Sequence, residues 1–170
     1  PPPSAPPGQA ATQAEPPMEE VRRLQEAVRA NPGNADDLLR LANRLHDLGL
    51  SAPTLLPGAI EAYTNYLKLK PGDPNARVDL GICYFELGRT DSLQSPKMFS
   101  AAVREMKAAI ASTPGHQPAA FNLGIVCLFM GDAKESAKWF RKTIELGPDT
   151  ELGTRAKNLL AQHAFPSSTP

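Results

Sequence analysis

At 170 residues, 41% of them hydrophobic and 21% charged, the chain has the material for about one folded domain. Lys plus Arg equals Asp plus Glu at 18 each, which argues against a surface basic enough to displace the counterions of nucleic acid or to hold an anionic membrane. No apolar run approaches the roughly 20 residues that span a bilayer, no secretory signal pattern is present, and two cysteines make no disulfide framework.

In chain order, residues 1–17 read PPPSAPPGQAATQAEPP, with seven prolines and no large apolar side chain. Such a stretch cannot bury enough surface to offset its ordering entropy and is expected to be a disordered, proline-rich tether. The chain begins at Pro1 without Met, which reads as a processed protein or a fragment. From Met18 the pattern becomes helical and repetitive. A half-repeat, VRRLQEAVRANPG, closes at Pro32. Three segments then align: LLRLANRLHDLG, RVDLGICYFELG and AFNLGIVCLFMG. Each sets a Leu beside a tiny residue, at Leu41–Ala42, Leu80–Gly81 and Leu123–Gly124, and each ends in Gly seven residues after the tiny one.

A second set follows each of these: AIEAYTNYLKLKPG, AVREMKAAIASTPG and SAKWFRKTIELGPD. Pro32, Pro71, Pro114 and Pro148 are spaced by 39, 43 and 34 residues. The longer intervals hold insertions at 51–57 and around 90–97, expected as surface loops. In the third copy Leu123, Gly124 and Cys127 fall on one helix face, and Ala137, Phe140 and Ile144 answer on the next. The tiny residues let paired helices approach, the terminal glycines suit a left-handed helix end, and the prolines stop the second helices. Asp132 and Ser95–Pro96 read as helix starts, and Asp36 and Asp37 suit a first turn. Leu152, Ala156, Leu159 and Leu160 share a face in a last helix that caps the array. The divisions are therefore a half-repeat at 18–33, repeats at 34–72, 73–115 and 116–149, a capping helix at 150–164 and a tail at 165–170.

These residues resemble the tetratricopeptide repeat family from about Val21 to about His163; the 34-residue interval is the period of that family. Cys127 stands where the family usually has Tyr, which Tyr84 keeps. Ser136 stands where Ala is usual, and Ala59 and Ala102 keep it. The resemblance implies an all-α, right-handed superhelical solenoid of about three helix-turn-helix repeats. It implies a non-catalytic scaffold that binds a protein or peptide, without cofactor, metal or nucleic acid. DLGICYFELG and AFNLGIVCLFMGD look like bacterial repeat domains carried behind a membrane anchor, some of which assist envelope assembly. That likeness implies an upstream anchor and the periplasmic side of a membrane, with the cytoplasm as the alternative.

In this family the first helix of each repeat lines the concave side. Extrapolated, the inward slots are Leu39, Asn43 and His46 in repeat one; Asn75, Val78, Asp79, Ile82 and Phe85 in repeat two; and Phe121, Asn122, Ile125 and Phe129 in repeat three. The set is largely apolar, with Asn and Asp placed to bond a peptide backbone. A clamp for a partner's terminal carboxylates needs Lys and Arg inward; here those slots hold Leu39, Asp79, Pro118 and Asn122, and only Asn43 agrees. The alternative function is a fixed subunit of a larger, membrane-associated assembly. Enzymatic readings lack their residues: no phosphate loop, no G-x-S-x-G, no H-E-x-x-H. Cys83 and Cys127 lie in apolar runs and read as core, and the three His show no metal spacing.

Overall fold

The repeat begins at its Pro-Gly step, where one side chain closes each first helix. A computed structural model describes residues 16–90 and 93–163. Among them run α1 (Pro17–Ala30), α2 (Ala35–Gly49), α3 (Leu56–Leu69), α4 (Pro74–Thr90), α5 (Ser95–Ser112), α6 (Gln117–Phe129), α7 (Ala133–Leu146) and α8 (Glu151–Gln162), with no strand. The tether reading at 1–17 lies outside the described residues except for Pro16 and Pro17, and Pro17 already opens α1. The tail at 165–170 also lies outside them.

The residue two places after each repeat-ending proline supplies the cap. Asn34 Oδ1 accepts from the Asp36 and Asp37 amides at 3.0 and 3.3 Å. Asp73 Oδ1 accepts from Asn75 and Ala76 at 2.9 and 3.2 Å. His116 Nδ1 accepts from Ala119 at 3.1 Å, and Thr150 Oγ1 from Gly153 at 3.0 Å. Each satisfies an amide that the helix leaves orphaned, an effect of about 0.5–2 kcal/mol. Asp132 caps α7 as its sequence suggests, accepting from Glu135 at 3.0 Å. Ser95 does not cap: it is the first residue of α5, and its hydroxyl donates to the Gly88 carbonyl, tying α5 to α4. Pro96 does sit in the first turn.

The terminal glycines divide by role. Gly131, at φ +78°, takes the left-handed conformation expected of all three. Gly49 and Gly88 do not, because both are helical, Gly49 as the last residue of α2 and Gly88 inside α4; there glycine permits contact. A Cβ on Gly49 would stand 2.6 Å from Leu56 Cδ2, and one on Gly88 2.8 Å from the Phe99 ring. The first insertion keeps to the surface over 51–54, as expected, but turns one side chain inward. Leu56, in the first, is fully buried. The second lengthens its flanking helices, α4 to 17 residues and α5 to 18.

Across the array, α2 touches α4, α4 touches α6 and α6 touches α8, whereas α1, α3, α5 and α7 do not touch one another. The first helices therefore crowd along the inside of a curve and the second helices fan out along its back. Between the rows, Tyr63, Met106 and Phe140 fill equivalent slots and are fully buried. Phe140 presses so closely on Gly124 that a Cβ there would sit 2.7 Å from its ring. Ser136, also buried, donates to the Gly124 carbonyl at 2.9 Å. The last repeat is closed by α8: Ala156 buries against Phe121 and Phe140, with Leu152, Leu159 and Leu160 packed around them.

Candidate interaction surface

Along the inner row, side-chain chemistry changes from one end to the other. At the first repeat it is polar. Asn43 is exposed, and its Oδ1 accepts from the Tyr63 hydroxyl at 2.7 Å. His46 meets the Tyr63 ring edge-on at 6.2 Å, with its Nε2 buried and without a hydrogen-bond partner. Asp79 lies in the same cluster. Burial pushes its carboxyl upward while His46 pulls it back. Leu39 is half-buried against the core.

Between repeats two and three, Asn75 is exposed and its Oδ1 lies 3.0 Å from His116 Nε2. Because His116 Nδ1 accepts from the Ala119 amide, the ring proton is on Nε2 and is donated to Asn75. This neutral ring bridges the starts of α4 and α6, and burial holds its pKa below the usual 6.5.

The far end is aromatic. Phe85, 6% exposed, packs on Phe99 at 5.5 Å and meets Phe129 edge-on at 5.0 Å. The Arg89 guanidinium lies 5.4 Å over Phe129 and 5.8 Å over Phe85, and is held by Glu86 at 2.9 Å. Arg155, from α8, lies 4.9 Å over Phe121. Ile82 and Ile125 are half-buried between these rings and the core. Asn122 donates to the Pro118 carbonyl at 2.9 Å.

The inward slots therefore present unequal surfaces. Asn43, Asn75 and Phe129 are exposed; Leu39, His46, Asp79, Ile82, Asn122 and Ile125 are partly so. Val78, Phe85 and Phe121 are core residues at 4%, 6% and 3% exposure, showing the groove only an edge. Phe129 is the anomaly. Six residues beyond the shared Leu, the first two repeats carry Asp47 and Glu86, and the third carries Phe129 at 55% exposure. A ring in a slot otherwise given to carboxylates leaves apolar surface in water that folding alone does not require. Arg89 and Arg155 were not among the inward slots. Arg89 follows Phe85 by one helical turn, a signal present in the sequence; nothing local connects Arg155 with Phe121.

The chemistry of a thiol enzyme is absent from the two cysteines. Both are buried and free, and burial pushes Cys83 up to about 12 and Cys127 to about 11, far from a thiolate at neutral pH. Among the described residues no three His, Cys, Asp or Glu gather where a metal ion would sit, and no helix is long and apolar enough to cross a membrane.

A tetratricopeptide repeat profile matches residues 56–92 and 99–150, over half of the chain. The chain belongs to the tetratricopeptide repeat family. Comparison with curated protein sequences finds no match. Among solved structures, MamA is 23% identical with a TM-score of 0.65, over 85% of this chain and 80% of that one. YrrB, described as a TPR protein with an unusual peptide-binding site, is 23% identical at 0.67, over 84% of this chain and 66% of that one. TTC0263, a thermophilic TPR protein of Thermus thermophilus, is 19% identical at 0.69, over 86% and 74%. These likenesses establish the superhelical repeat fold, which fits a protein-interaction scaffold.

Proposed function

We propose that the chain is a non-catalytic scaffold that holds an extended segment of a partner protein along its concave inner row. The observation that carries this reading is Phe129, an exposed ring in a slot where the preceding repeats place Asp47 and Glu86. Around it, Phe85 and Arg89 supply an aromatic and cationic anchor, of the type that dominates binding energy at protein interfaces. Asn43 and Asn75 supply exposed amides for a peptide backbone further along the row. The YrrB description supports a peptide as ligand. The balance of 18 basic and 18 acidic residues supports protein over nucleic acid.

The test is a photoreactive phenylalanine analogue placed at Asn75 on the inner row and, separately, at Lys107, exposed on the outer helix α5. The inner position is expected to crosslink one partner segment and the outer position none. Capture of the same partner with equal yield from both would make the chain a fixed subunit of an assembly instead.

A further inference from the structure

Because successive outer helices never touch, each pair leaves a groove on the back of the array, floored by the inner helix between them. The groove between α1 and α3 is lined by one cation, Arg29, and one carboxylate, Glu61. In that between α5 and α7, Lys138 pairs with Glu135 and Lys142 with Glu145, each at 3.2 Å. The middle groove, between α3 and α5, differs. It encloses about 280 Å³ and sets Lys68, Arg77 and Arg104 around the single carboxylate of Glu105, above a floor that includes Leu80 and Tyr84.

Glu105 is buried and takes both guanidiniums. Arg77 Nη1 donates to Oε2 at 3.1 Å, and Arg104 Nη2 and Nε donate to Oε1 at 3.0 and 3.1 Å. One carboxylate balances one of two arginines, and Lys68 adds a cation whose bond goes to neutral Asn65 at 2.8 Å. Asp73 does not supply the missing charge: it caps α4 and accepts from Tyr66 at 2.7 Å. The Arg104 side chain is 65% exposed and keeps N–H groups beyond those it gives to Glu105, whereas Arg77, at 23% exposure, also donates Nε and Nη2 to the Pro71 carbonyl at 3.3 and 2.9 Å. Uncompensated positive charge gathered in a groove attracts an anion more strongly than the same charge spread over an open surface. A planar guanidinium fork suits a carboxylate, and the Leu80–Tyr84 floor suits an aliphatic neighbour.

The geometry points to the outer groove between α3 and α5 as a second docking site, for an acidic segment of a partner protein. An Asp or Glu of that segment completes the Arg77–Glu105–Arg104 network, and an adjacent apolar side chain lies on Leu80 and Tyr84. The site is on the opposite face from the inner row and does not rest on the concave reading.

The test is an NMR titration of the ¹⁵N-labelled full chain with a blocked hexapeptide alternating Leu and Glu. The controls are the same peptide with Gln for Glu, and inorganic phosphate. The Glu peptide is expected to shift amides around Lys68, Tyr84 and Arg104, and to lose about tenfold in affinity on exchange of Glu for Gln or on Arg104→Gln, the scale of one charge-assisted pair. Phe129→Glu is expected to bind it as the parent does. Lys68→Gln, outside the buried network, is expected to weaken binding by a smaller factor, so a loss of fold in Arg104→Gln would not shield the proposal. Equal affinity for the Gln peptide, or parental affinity in both groove variants, would overturn it. So would displacement by phosphate at equal concentration, which would mark an unselective anion patch.

Discussion

The two ends of the inner row occupy the same slots of the same backbone and carry opposite chemistry. Five residues past the shared Leu, repeat one has His46 and repeat two has Phe85; six past it, Asp47 and Glu86 give way to Phe129. At the first end polar groups face one another: Tyr63 bonds Asn43, and His46 stands beside Asp79. At the second, rings stack and arginines lie across them. Nothing in the backbone requires the difference. Caps, tiny residues and buried Tyr63, Met106 and Phe140 hold the repeats together from the far side of the inner helices. The solvent-facing slots are therefore free to differ, and under the proposed function the specificity of the scaffold is carried there.

The largest contrast comes from uncovering one end. Deleting residues 150–170 removes α8 and bares Phe121, Phe140 and their neighbours. Light scattering is expected to show aggregation of the truncated chain, while a monomer melting at the parental temperature would show that α8 is no cap. A smaller effect separates equivalent glycines. A side chain at Gly124 meets the Phe140 ring at 2.7 Å, whereas at Gly81 it meets the flexible Met106 side chain at 3.1 Å and the Ala102 carbonyl at 3.3 Å. Gly124→Leu is expected to cost about 1–3 kcal/mol in denaturant melts. Gly81→Ala is expected to be close to neutral, because relief of glycine's helix penalty of roughly 0.5–1 kcal/mol offsets the contact. Equal losses would mean that helix pairing is not tighter in repeat three.

The caps differ in pH response. Asn34 cannot titrate; His116, in the same slot, has a folded pKa held below its ordinary 6.5 by burial. The unfolded state therefore binds the proton more readily, so the stability contributed by His116 is present above pH 6.5 and is lost as pH falls through the folded value. The opening free energy of the α6 amides, taken from exchange rates corrected for the intrinsic pH dependence of exchange, is expected to fall in the parent as pH drops below 6.5 and not in His116→Asn, by an amount bounded by the roughly 0.5–2 kcal/mol of a cap. No difference between the two would remove His116 from the account of α6.

The fold was legible because its signals recur: Leu beside a tiny residue, then Gly, then Pro, in register through three copies. What was not legible depended on partners distant in sequence. Gly49 and Gly88 have the sequence setting of helix stops, and only the Leu56 and Phe99 side chains across the hairpin show them to be contact points. Asn34, Asp73 and His116 have the setting of turn residues, although their place after each Pro-Gly is a capping signal in plain view. Among the extrapolated inward slots, Asn43, Asn75 and Phe129 are exposed, as a contact position requires. The burial of Val78, Phe85 and Phe121 is set by the neighbouring repeat or the cap, and the Arg155–Phe121 contact joins two helices with no shared local pattern.

The most decisive test of function comes with only a modest expected change in stability. Phe129→Glu restores the carboxylate that repeats one and two carry in that slot. Loss of its edge-on contact with Phe85 costs about 0.5–1.5 kcal/mol. The measurement is a calorimetric titration of the parent and of Phe129→Glu with the partner segment captured from Asn75. An affinity loss of about tenfold or more with the fold intact, on the scale of an interface anchor, is the expected result; parental affinity in the folded variant would contradict the inner row as the binding surface.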